Sequence, residues 1–355
     1  MVTAMAAAAS GRAALGSQAG SDGFHAPAET APHARTWMCW PSTPSIYGGA
    51  TGYFESIQET LGRLAATIAE HEPVTLLAAA KHRALAAQLC GPRVRLLDIP
   101  TDDMWARDSG PVFLRNPGGA IAALDLNFNG WGGKQRHRND RQVSAAIARK
   151  LGCPRIRSKI TGEGGGIEYD GEGTLIVTES CWVNDNRNPG WTRGEIEIEL
   201  KRTLGVEKVI WLPGVRGRDI TDGHIDGSVR VVRPGVVLTG GYPGDTSDWG
   251  LALAESRAIL SKATDAKGRA FTLVDIPAAV DVRSARDDFF SGYTNYYVGN
   301  GAVYTPSFGD AKADGHAVET LTRLFPDRRV IALEVDRIYE NGGGIHCVTR
   351  QEPAV

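Results

Sequence analysis

The stretch EGGGIEYDGEGTLIVTESCWV, residues 163–183, decides the fold. A glycine-rich loop leads into the short run IEYD at 167–170, and the turn Gly-Glu-Gly at 171–173 separates that run from a longer one at 174–183. Two runs rich in β-branched and aromatic residues, joined by a short glycine turn, predict an antiparallel hairpin.

The segment after this hairpin predicts a helix and a third strand. Thr192 and Glu195 have the spacing of a capping box, and Gly205 stands where the helix would end. The run at 208–213 is typical of a strand. One unit therefore consists of a hairpin, a helix and a strand.

The same unit recurs along the chain, which indicates a repeat architecture. Its hairpins are predicted to begin near residues 109, 167, 227, 294 and 345. The fifth unit combines the C-terminal run 345–351 with the N-terminal run 35–40, so a closed ring is favoured over an open stack. The predicted fold class is therefore α/β, a closed ring of five pseudo-symmetric units. An ordinary mixed α/β sheet is the alternative that the pattern alone allows.

Composition excludes several classes of protein. The chain has 355 residues, of which 42% are hydrophobic and 23% charged, so it can bury a sizeable core. Its 39 basic and 41 acidic side chains give a net charge of −2, with no basic excess to attract nucleic acid or an anionic membrane. No apolar run has the length of a transmembrane helix. The oligomeric state stays open, a homo-oligomer included.

The cysteines and the first residues bear on compartment and domain boundaries. Five scattered cysteines form no CxxC pair, so we expect reduced thiols in a cytoplasmic protein rather than a disulfide framework or a zinc site. Residues 1–22 are rich in Ala, Gly and Ser and contain no signal-peptide core. We expect a disordered leader at 1–22 and a single catalytic domain at 23–355.

Polar residues concentrate in the loops that lead from the last strand of one unit into the hairpin of the next. These loops are DDMWARDSG (102–110), TGEGGG (161–166), RDITDGHIDG (218–227) and ENGGGIHC (340–347). Loops at equivalent places in a closed repeat converge at one end of the ring. The sequence therefore predicts a central site with carboxylates, a histidine and a cysteine, where glycines let backbone come close.

Cys347, His224 and Asp226 are the first candidates in these loops. Cys347 follows three glycines and a histidine, a setting that suits a nucleophilic thiolate better than a buried structural cysteine. His224 and Asp226 are two residues apart, so on an extended strand both side chains would face the same way. This arrangement suits an acid/base histidine beside a cation-binding carboxylate, and a surface turn before a strand is the alternative.

Asp108 and Glu163 are the other candidate carboxylates. Asp108 follows Trp105, and an acidic side chain beside an aromatic ring suits a planar cation. A turn aspartate paired with Arg107 is the alternative. Glu163 precedes three glycines and either orients a histidine or caps a turn. We expect turn or capping roles for Asp102, Asp103, Asp219 and Asp222, and core or pocket-wall roles for Trp37 and Trp40.

His346 is expected to be structural, because on a strand it would alternate with Cys347 and face away from it. A metal site built from His224, Asp226, His346 and Cys347 is a competing interpretation. It is the weaker one, since the chain has no HExxH, HxxxH or CxxC motif. The glycine runs match neither a P-loop nor GxGxxG, which disfavours a nucleotide site.

A cysteine, a histidine and several carboxylates at one site favour a planar, cationic, carbon-centred electrophile. A guanidinium group fits this description. Two carboxylates would bind its nitrogens while the thiolate attacks its carbon and the histidine protonates the departing ammonia. The predicted partner is therefore a small cationic guanidino compound.

Eight ordered stretches, from about Phe24 to Pro353, resemble a known family. They are HARTWMCWPS, DMWARDSGP, NFNGWGGK, EGGGIEYDGEGT, NRNPGWT, GHID, NGAVYTPSFGD and GGGIHC. These stretches resemble the agmatine deiminase and bacterial peptidylarginine deiminase family of the guanidino-group-modifying (pentein) superfamily. The resemblance implies a five-fold α/β-propeller and a hydrolase that uses neither a metal nor a cofactor.

The resemblance also implies a role for each candidate. Cys347 resembles the nucleophile, His224 the general acid/base and Glu163 the carboxylate that orients it. Asp108 and Asp226 resemble the pair that holds the guanidinium. The substrate pocket implied by the resemblance further includes Trp105 as a wall and Gly344 of GGGIHC. The implied reaction converts agmatine and water into N-carbamoylputrescine and ammonia through an S-alkylthiouronium intermediate.

Two residues depart from the pattern of agmatine deiminases. Ile220 stands where that pattern has Glu, close to the free amine of the substrate, and Gly227 stands where it has Asn. The substrate could therefore be another alkylguanidine or arginine in a peptide, and amidino transfer is a further enzymatic alternative. A non-catalytic ligand-binding propeller is the alternative from another class.

Overall fold

The structure is a computed structural model that describes residues 23–48, 51–242, 244–286 and 289–355. The predicted leader at 1–22 lies outside the described residues, so this domain boundary stays a prediction. In the part of the chain that is described, no helix is both long enough and apolar enough to cross a bilayer.

Sixteen strands of the described residues form five small sheets. They are β1 (His33–Cys39), β2 (Val74–Leu77), β3 (Val94–Leu97), β4 (Val112–Arg115), β5 (Ile121–Asp125), β6 (Arg155–Arg157), β7 (Glu168–Tyr169), β8 (Thr174–Thr178), β9 (Lys208–Leu212), β10 (Val229–Arg233), β11 (Val236–Gly241), β12 (Thr272–Pro277), β13 (Tyr297–Val298), β14 (Ala302–Pro306), β15 (Arg329–Leu333) and β16 (Arg350–Pro353).

Each sheet repeats one pairing pattern. The first strand pairs antiparallel with the second, and the second pairs parallel with a third, as in β7, β8 and β9. A parallel neighbour needs a crossover, and helices supply it. The helices of eight or more residues are Tyr53–Ile68, Arg83–Cys90, Val143–Leu151, Arg193–Leu204, Asp248–Leu260 and Ala311–Leu324. The predicted unit of hairpin, helix and strand is therefore present five times.

The two ends of the described chain share one sheet. Its strand order is β16-β1-β2-β3, and β16 lies antiparallel to β1 with Arg350 opposite Trp37. The indole Nε1 of Trp37 donates to Glu352 Oε2 at 2.8 Å. This pairing closes the series of five units, as the sequence predicted.

The helix at Arg193–Leu204 begins and ends where local sequence signals placed it. The Thr192 side chain accepts from Glu195 N, and the Glu195 side chain accepts from Thr192 N, so the capping box is confirmed. Gly205 ends the helix with a φ of 66°, a conformation that glycine adopts without strain. Ile196, Leu200 and Leu204 form its buried stripe.

Three predicted strands are longer than the strands in the structure. His224 and Asp226 were predicted on a strand, but Ile225–Gly227 is a 3-10 turn and β10 begins at Val229. His346 and Cys347 were predicted on a strand, but they lie in a turn before β16. The long run at 174–183 ends as a strand at Thr178 and continues as the helical turn Glu179–Trp182.

Short turns of this kind are the feature of the fold that matters most for the site. The remaining short helical segments are Pro44–Tyr47, Ala80–His82, Ala106–Ser109, Gly130–Gly133, Asp140–Gln142, Gly164–Gly166, Tyr293–Asn295 and Asp336–Tyr339. Three 3-10 turns and the helix Ala106–Ser109 each lie just before the first strand of a unit, and the turn at 345–348 lies just before β16.

Candidate functional site

The five turns that precede the hairpins are hydrogen-bonded to one another. Gly165 N donates to Asp108 Oδ1 at 2.9 Å, and Thr294 Oγ1 donates to Gly227 O at 2.8 Å. Arg107 N donates to Cys347 O at 3.0 Å. The structure thus brings the polar loops of all five units into one place.

Gly165 marks the point where three of the predicted site residues meet. A methyl group on its Cα would lie 2.6 Å from His224 Nδ1, 3.0 Å from Asp108 Oδ1 and 3.2 Å from Asp226 Oδ2. Real Cβ atoms rarely approach polar atoms so closely. Only a glycine leaves room here for two carboxylates and an imidazole around one point.

His224 lies between Glu163 and Asp108. Its Nε2 is 3.2 Å from Glu163 Oε2, and its Nδ1 is 3.8 Å from Asp108 Oδ2. Arg187 fixes Glu163, because its Nε donates to both carboxylate oxygens at 2.9 Å. Trp131 fixes Asp108, because its Nε1 donates to Asp108 Oδ2 at 2.9 Å.

Asp226 and Asn295 flank the thiol of Cys347. Asn295 Nδ2 donates to Cys347 Sγ at 3.2 Å, and its Oδ1 accepts from Cys347 N at 3.2 Å. Asp226 Oδ2 is 3.6 Å from Cys347 Sγ. The thiol is therefore held within reach of the same carboxylate that converges on Gly165.

His346 does not face away from the site as the strand pattern predicted. Its Nδ1 is 2.7 Å from Asp226 Oδ2, and its Nε2 is 2.9 Å from Glu29 Oε1. The reason is the turn at 345–348, which rotates successive side chains by less than the half-turn of a strand. His346 and Cys347 consequently contact the same carboxylate oxygen.

Trp105 and Gly344 also lie beside the thiol. A methyl group on Gly343 would meet both the Trp105 ring, at 2.6 Å, and Cys347 Cβ, at 3.3 Å. On Gly344 it would lie 2.6 Å from Asn295 Oδ1. The Trp105 ring and this glycine backbone therefore lie near Cys347, and their part in a substrate pocket, which the resemblance implies, stays a prediction.

Electrostatics at the site favour a charged histidine and a protonated thiol. Burial alone would lower the pKa of His224, but Asp108, Cys181 and Glu163 raise it well above its usual value. Burial raises the pKa of Cys347 well above the ordinary thiol value, and the charges of Asp226 and Asp108 raise it further. Without a cationic ligand, Cys347 thus carries its proton and His224 is an imidazolium.

The two candidate clamp carboxylates differ in their titration. Burial raises the pKa of Asp108, and the charges of Glu163 and Asp226 add to this effect although His224 opposes it. Burial would also raise the pKa of Asp226, but the hydrogen bond and charge of His346 and the charge of His224 lower it below its usual value. Asp226 therefore ionises more readily than Asp108.

The remaining predicted polar residues are turn and capping residues. Asp102 Oδ2 accepts from Asn139 N, Asp103 Oδ1 from Met104 N and Asp219 Oδ1 from Gly223 N. Asp222 accepts from Gly217 N and also from Arg187 Nη1 at 2.7 Å, so it supports the arginine that holds Glu163. Trp37 and Trp40 are buried in the core.

Comparison with known proteins decides the family. A model of the Porphyromonas-type peptidyl-arginine deiminases matches residues 25–353. The chain belongs to this family. Agmatine deiminase of Stutzerimonas stutzeri is 38% identical over 359 residues, which cover 94% of this chain and 96% of that protein. Agmatine deiminase of Medicago truncatula is 35% identical, with coverage of 94% and 97%.

A solved structure extends the comparison to the fold. Agmatine deiminase of Enterococcus faecalis superposes with a TM-score of 0.88 at 28% identity, covering 96% of this chain and 99% of that one. Together with the five closed units, this similarity confirms the five-bladed α/β-propeller of the peptidyl-arginine deiminase family.

Sequence reasoning missed four partners of the site residues in this peptidyl-arginine deiminase fold: Arg187, Asn295, Trp131 and Glu29. Asn295 carried a usable signal, because it lies on a turn at the same place in its unit as Asp226. Arg187 and Trp131 lie in stretches already quoted for the family resemblance, NRNPGWT and NFNGWGGK.

The residues proposed in the competing metal site do not form one cluster. Among the described residues, the groups of three metal-binding side chains are Glu163 with Cys181 and His224, and Glu29 with Glu168 and His346. Arginines already pair with both groups: Arg187 with Glu163, and Arg230 with Glu29 and Glu168. A cation would have to displace these guanidinium groups, so neither group fits a metal ion well.

Proposed function

We propose that this chain hydrolyses the guanidino group of agmatine to N-carbamoylputrescine and ammonia. The single observation that carries the proposal is the convergence of Asp108, Asp226 and His224 on Gly165, with the Cys347 thiol 3.6 Å from Asp226. Two carboxylates and one thiol around a buried point suit a planar cation with an electrophilic carbon. The 38% identity to an agmatine deiminase over nearly the whole chain supports agmatine as that cation.

In the first step, the substrate's charge activates the thiol. Asp108 and Asp226 bind the guanidinium nitrogens, and this added positive charge offsets the two carboxylates that raise the pKa of Cys347. The thiol then releases its proton to solvent. The thiolate forms a bond to the guanidinium carbon, which becomes tetrahedral.

His224 then acts first as an acid and afterwards as a base. Its imidazolium gives a proton to one nitrogen of the tetrahedral carbon, and the bond between that nitrogen and the carbon breaks. Ammonia departs, and an S-alkylthiouronium remains on Cys347. The neutral His224 takes a proton from water, whose oxygen bonds to the same carbon. The carbon–sulfur bond then breaks as the new hydroxyl group loses its proton to solvent, which releases the neutral ureido product and the thiolate. Glu163, fixed by Arg187, holds the imidazole in place for both transfers.

The experiment that tests this proposal is ammonia release from a panel of guanidines: agmatine, butylguanidine, free arginine and an arginine peptide. Agmatine should be turned over, and Cys347→Ser should reduce turnover to background while leaving the melting temperature near that of wild type. Cys153→Ser, at a partly exposed cysteine outside the site, is the matched control. No ammonia from any guanidine would favour the non-catalytic binding propeller.

Ile220 favours a second candidate, an alkylguanidine whose tail carries no ammonium. Its side chain packs against the apolar cluster that contains Trp105 and Cys347, and its carbonyl accepts from the Lys134 ammonium at 3.1 Å. A substrate ammonium would thus meet an apolar side chain and a nearby like charge. We expect a modest preference for agmatine over butylguanidine in wild type.

The substitution Ile220→Glu tests this interpretation. A hydrogen bond to a charged group is worth about 1.5–3 kcal/mol, so kcat/KM for agmatine relative to butylguanidine should rise roughly 10- to 150-fold. Ile220→Gln is the uncharged control and should give a much smaller change. A wild-type preference for agmatine above about a hundredfold would mean that another acidic residue binds the amine.

Cytoplasmic location and the lack of a nucleic-acid partner remain part of the proposal, and the oligomeric state stays open. The even balance of charge supports the lack of a nucleic-acid partner. Size-exclusion chromatography with light scattering on the full chain would establish the oligomeric state.

A further inference from the structure

His346 lies between two carboxylates, that of the buried Asp226 and that of the largely buried Glu29. Its Nδ1 lies 2.7 Å from Asp226 Oδ2 and its Nε2 lies 2.9 Å from Glu29 Oε1. The His346 and Asp226 side chains are each 1% exposed, and that of Glu29 is 12% exposed. Ionised carboxylates only accept hydrogen bonds, so both contacts require N–H donors on the imidazole.

The charges around this group show why both carboxylates stay ionised. Arg107 Nη2 donates to Glu29 Oε1 at 2.9 Å and Arg230 Nη2 donates to Glu29 Oε2 at 2.8 Å. Burial would raise the pKa of Glu29, but His346, Arg107 and Arg230 together lower it well below its usual value. Both ring nitrogens of His346 therefore face carboxylate oxygens at hydrogen-bonding distance.

Asp226 Oδ2 depends on the His346 ring for its position. The other donors near the same oxygen are Asn295 Nδ2 at 3.4 Å and the Cys347 thiol at 3.6 Å, both much longer contacts. The His346 backbone is fixed independently, because its N–H donates to Asn295 O and its carbonyl accepts from Arg107 Nε. The ring is thus a rigid support for one carboxylate beside the thiol.

We propose that His346 is a positioning residue that orients Asp226 toward the guanidinium, and that Glu29 in turn holds His346. The inference rests on the proposed function in so far as Asp226 binds a guanidinium. Glu29 belongs to the segment 24–33, where Ala26 N donates to Leu204 O and His25 pairs with Arg115. This segment therefore takes part in the site without contacting the substrate.

Two substitutions at His346 test its contact with Asp226 and its contact with Glu29 separately. The Asn side chain places its NH₂ near the position of Nδ1, so His346→Asn retains a donor for Asp226 and loses the contact with Glu29. The longer Gln side chain places its NH₂ near the position of Nε2, so His346→Gln retains the Glu29 contact and loses the Asp226 one. Both variants remove the imidazole ring, so the difference between them reports on the position of the donor.

The expected result is an asymmetric loss of activity. His346→Gln should lower kcat/KM for agmatine by about tenfold or more, the value of a hydrogen bond to a charged group, whereas His346→Asn should stay several times closer to wild type. Equal losses in both variants, or a lower melting temperature with kcat/KM unchanged, would show that His346 only stabilises the fold.

A readout without turnover keeps this inference separate from the proposed function. A haloacetamidine alkylates thiols and resembles a guanidinium in charge and shape, whereas iodoacetamide is neutral and needs no carboxylate partner. The ratio of their labelling rates at Cys347 measures the carboxylate clamp even if no guanidine is hydrolysed. His346→Gln should lower this ratio about tenfold, and a ratio equal to that of wild type would overturn the inference.

Glu29 provides the second variant, which is needed if His346→Gln does not fold. Glu29→Gln should lower the same labelling ratio while His346 and Asp226 are intact. The matched control is Glu72→Gln, which removes a buried carboxylate that contacts His33 at 3.2 Å but not the site. Glu72→Gln should change stability and leave the ratio unchanged. Identical ratios in the two variants would show that Glu29 has no part in the clamp.

Discussion

At the scale of single residues, the thiol of Cys347 owes its chemistry to its neighbours. Desolvation and two carboxylates raise its pKa, while the Asn295 amide and the Gly344 backbone offset this only in part. An enzyme that attacks neutral electrophiles would gain from a lowered thiol pKa. Here the thiol pKa is raised, and only a cationic substrate would lower it again. The thiol would therefore react with cations rather than with neutral electrophiles.

This restriction predicts a reversal of labelling order among the cysteines. At pH 7, iodoacetamide should label Cys153, which is partly exposed, faster than Cys347, which is 9% exposed and protonated. Haloacetamidine should label Cys347 first, because its charge pairs with Asp108 and Asp226. Peptide mapping by mass spectrometry measures both orders.

The pH dependence of iodoacetamide labelling tests whether the Cys347 thiol is protonated in the free protein. Below the thiol pKa, the thiolate fraction rises about tenfold for each pH unit, so iodoacetamide labelling of Cys347 should climb steadily from pH 7 to 9. A rate that is already level at pH 7 would mean that the thiol is ionised in the free protein and that the carboxylates do not control it.

At the scale of elements, the turns before the hairpins carry the site, and the tightest is Gly164–Gly166. Its middle residue, Gly165, leaves the space in which His224, Asp108 and Asp226 converge. The other two glycines of the turn lie against Arg107 O and the Trp182 indole. The glycines are therefore needed for close approach rather than for a left-handed backbone.

Gly165→Ala is predicted to abolish most activity while the protein still folds. The added methyl group would displace His224 or a clamp carboxylate, and a misplacement of about 1 Å costs roughly a hundredfold in rate. The assay is kcat/KM for agmatine with the melting temperature measured in parallel. Gly194→Ala is the control, since nothing lies within 4 Å of its added methyl group and a helix favours alanine. Activity of Gly165→Ala close to that of the control would place the reacting centre elsewhere.

The same elements show how far the sequence predicts this structure. The helix at Arg193–Leu204 was predicted because its capping box and terminal glycine act locally. The residues at 225–227 and 345–348 were predicted as strands but form turns. Contacts with other units determine these turns, and a local sequence pattern does not show such contacts. Cys347 N, for example, donates to Asn295 Oδ1, a residue 52 positions away. No short-range pattern encodes such a bond, and the role of His346 was missed for this reason.

At the scale of the whole molecule, the ring depends on joining the two ends of the described chain. All four residues of β16 are buried, and β16 connects β1 to the turn that carries His346 and Cys347. The N-terminal segment contributes again through Glu29, which contacts His346 and the buried arginines Arg107 and Arg230. Closure of the fold and assembly of the site therefore depend on the same two terminal segments.

Deletions at the two ends of the chain should therefore differ in their effect on stability. Deletion of residues 1–22, a segment rich in Ala, Gly and Ser, should leave ammonia release unchanged and the melting temperature within about 2 °C of the full chain. Deletion of residues 350–355 removes β16, exposes the edge of β1 and strips Trp37 of its partner Glu352, so no cooperative melting transition near that of the full chain should remain. Differential scanning calorimetry of both variants makes the comparison. A large loss on deleting 1–22 would move the domain boundary upstream of residue 23, whereas a stable protein without β16 would mean that the ring does not need its closing strand.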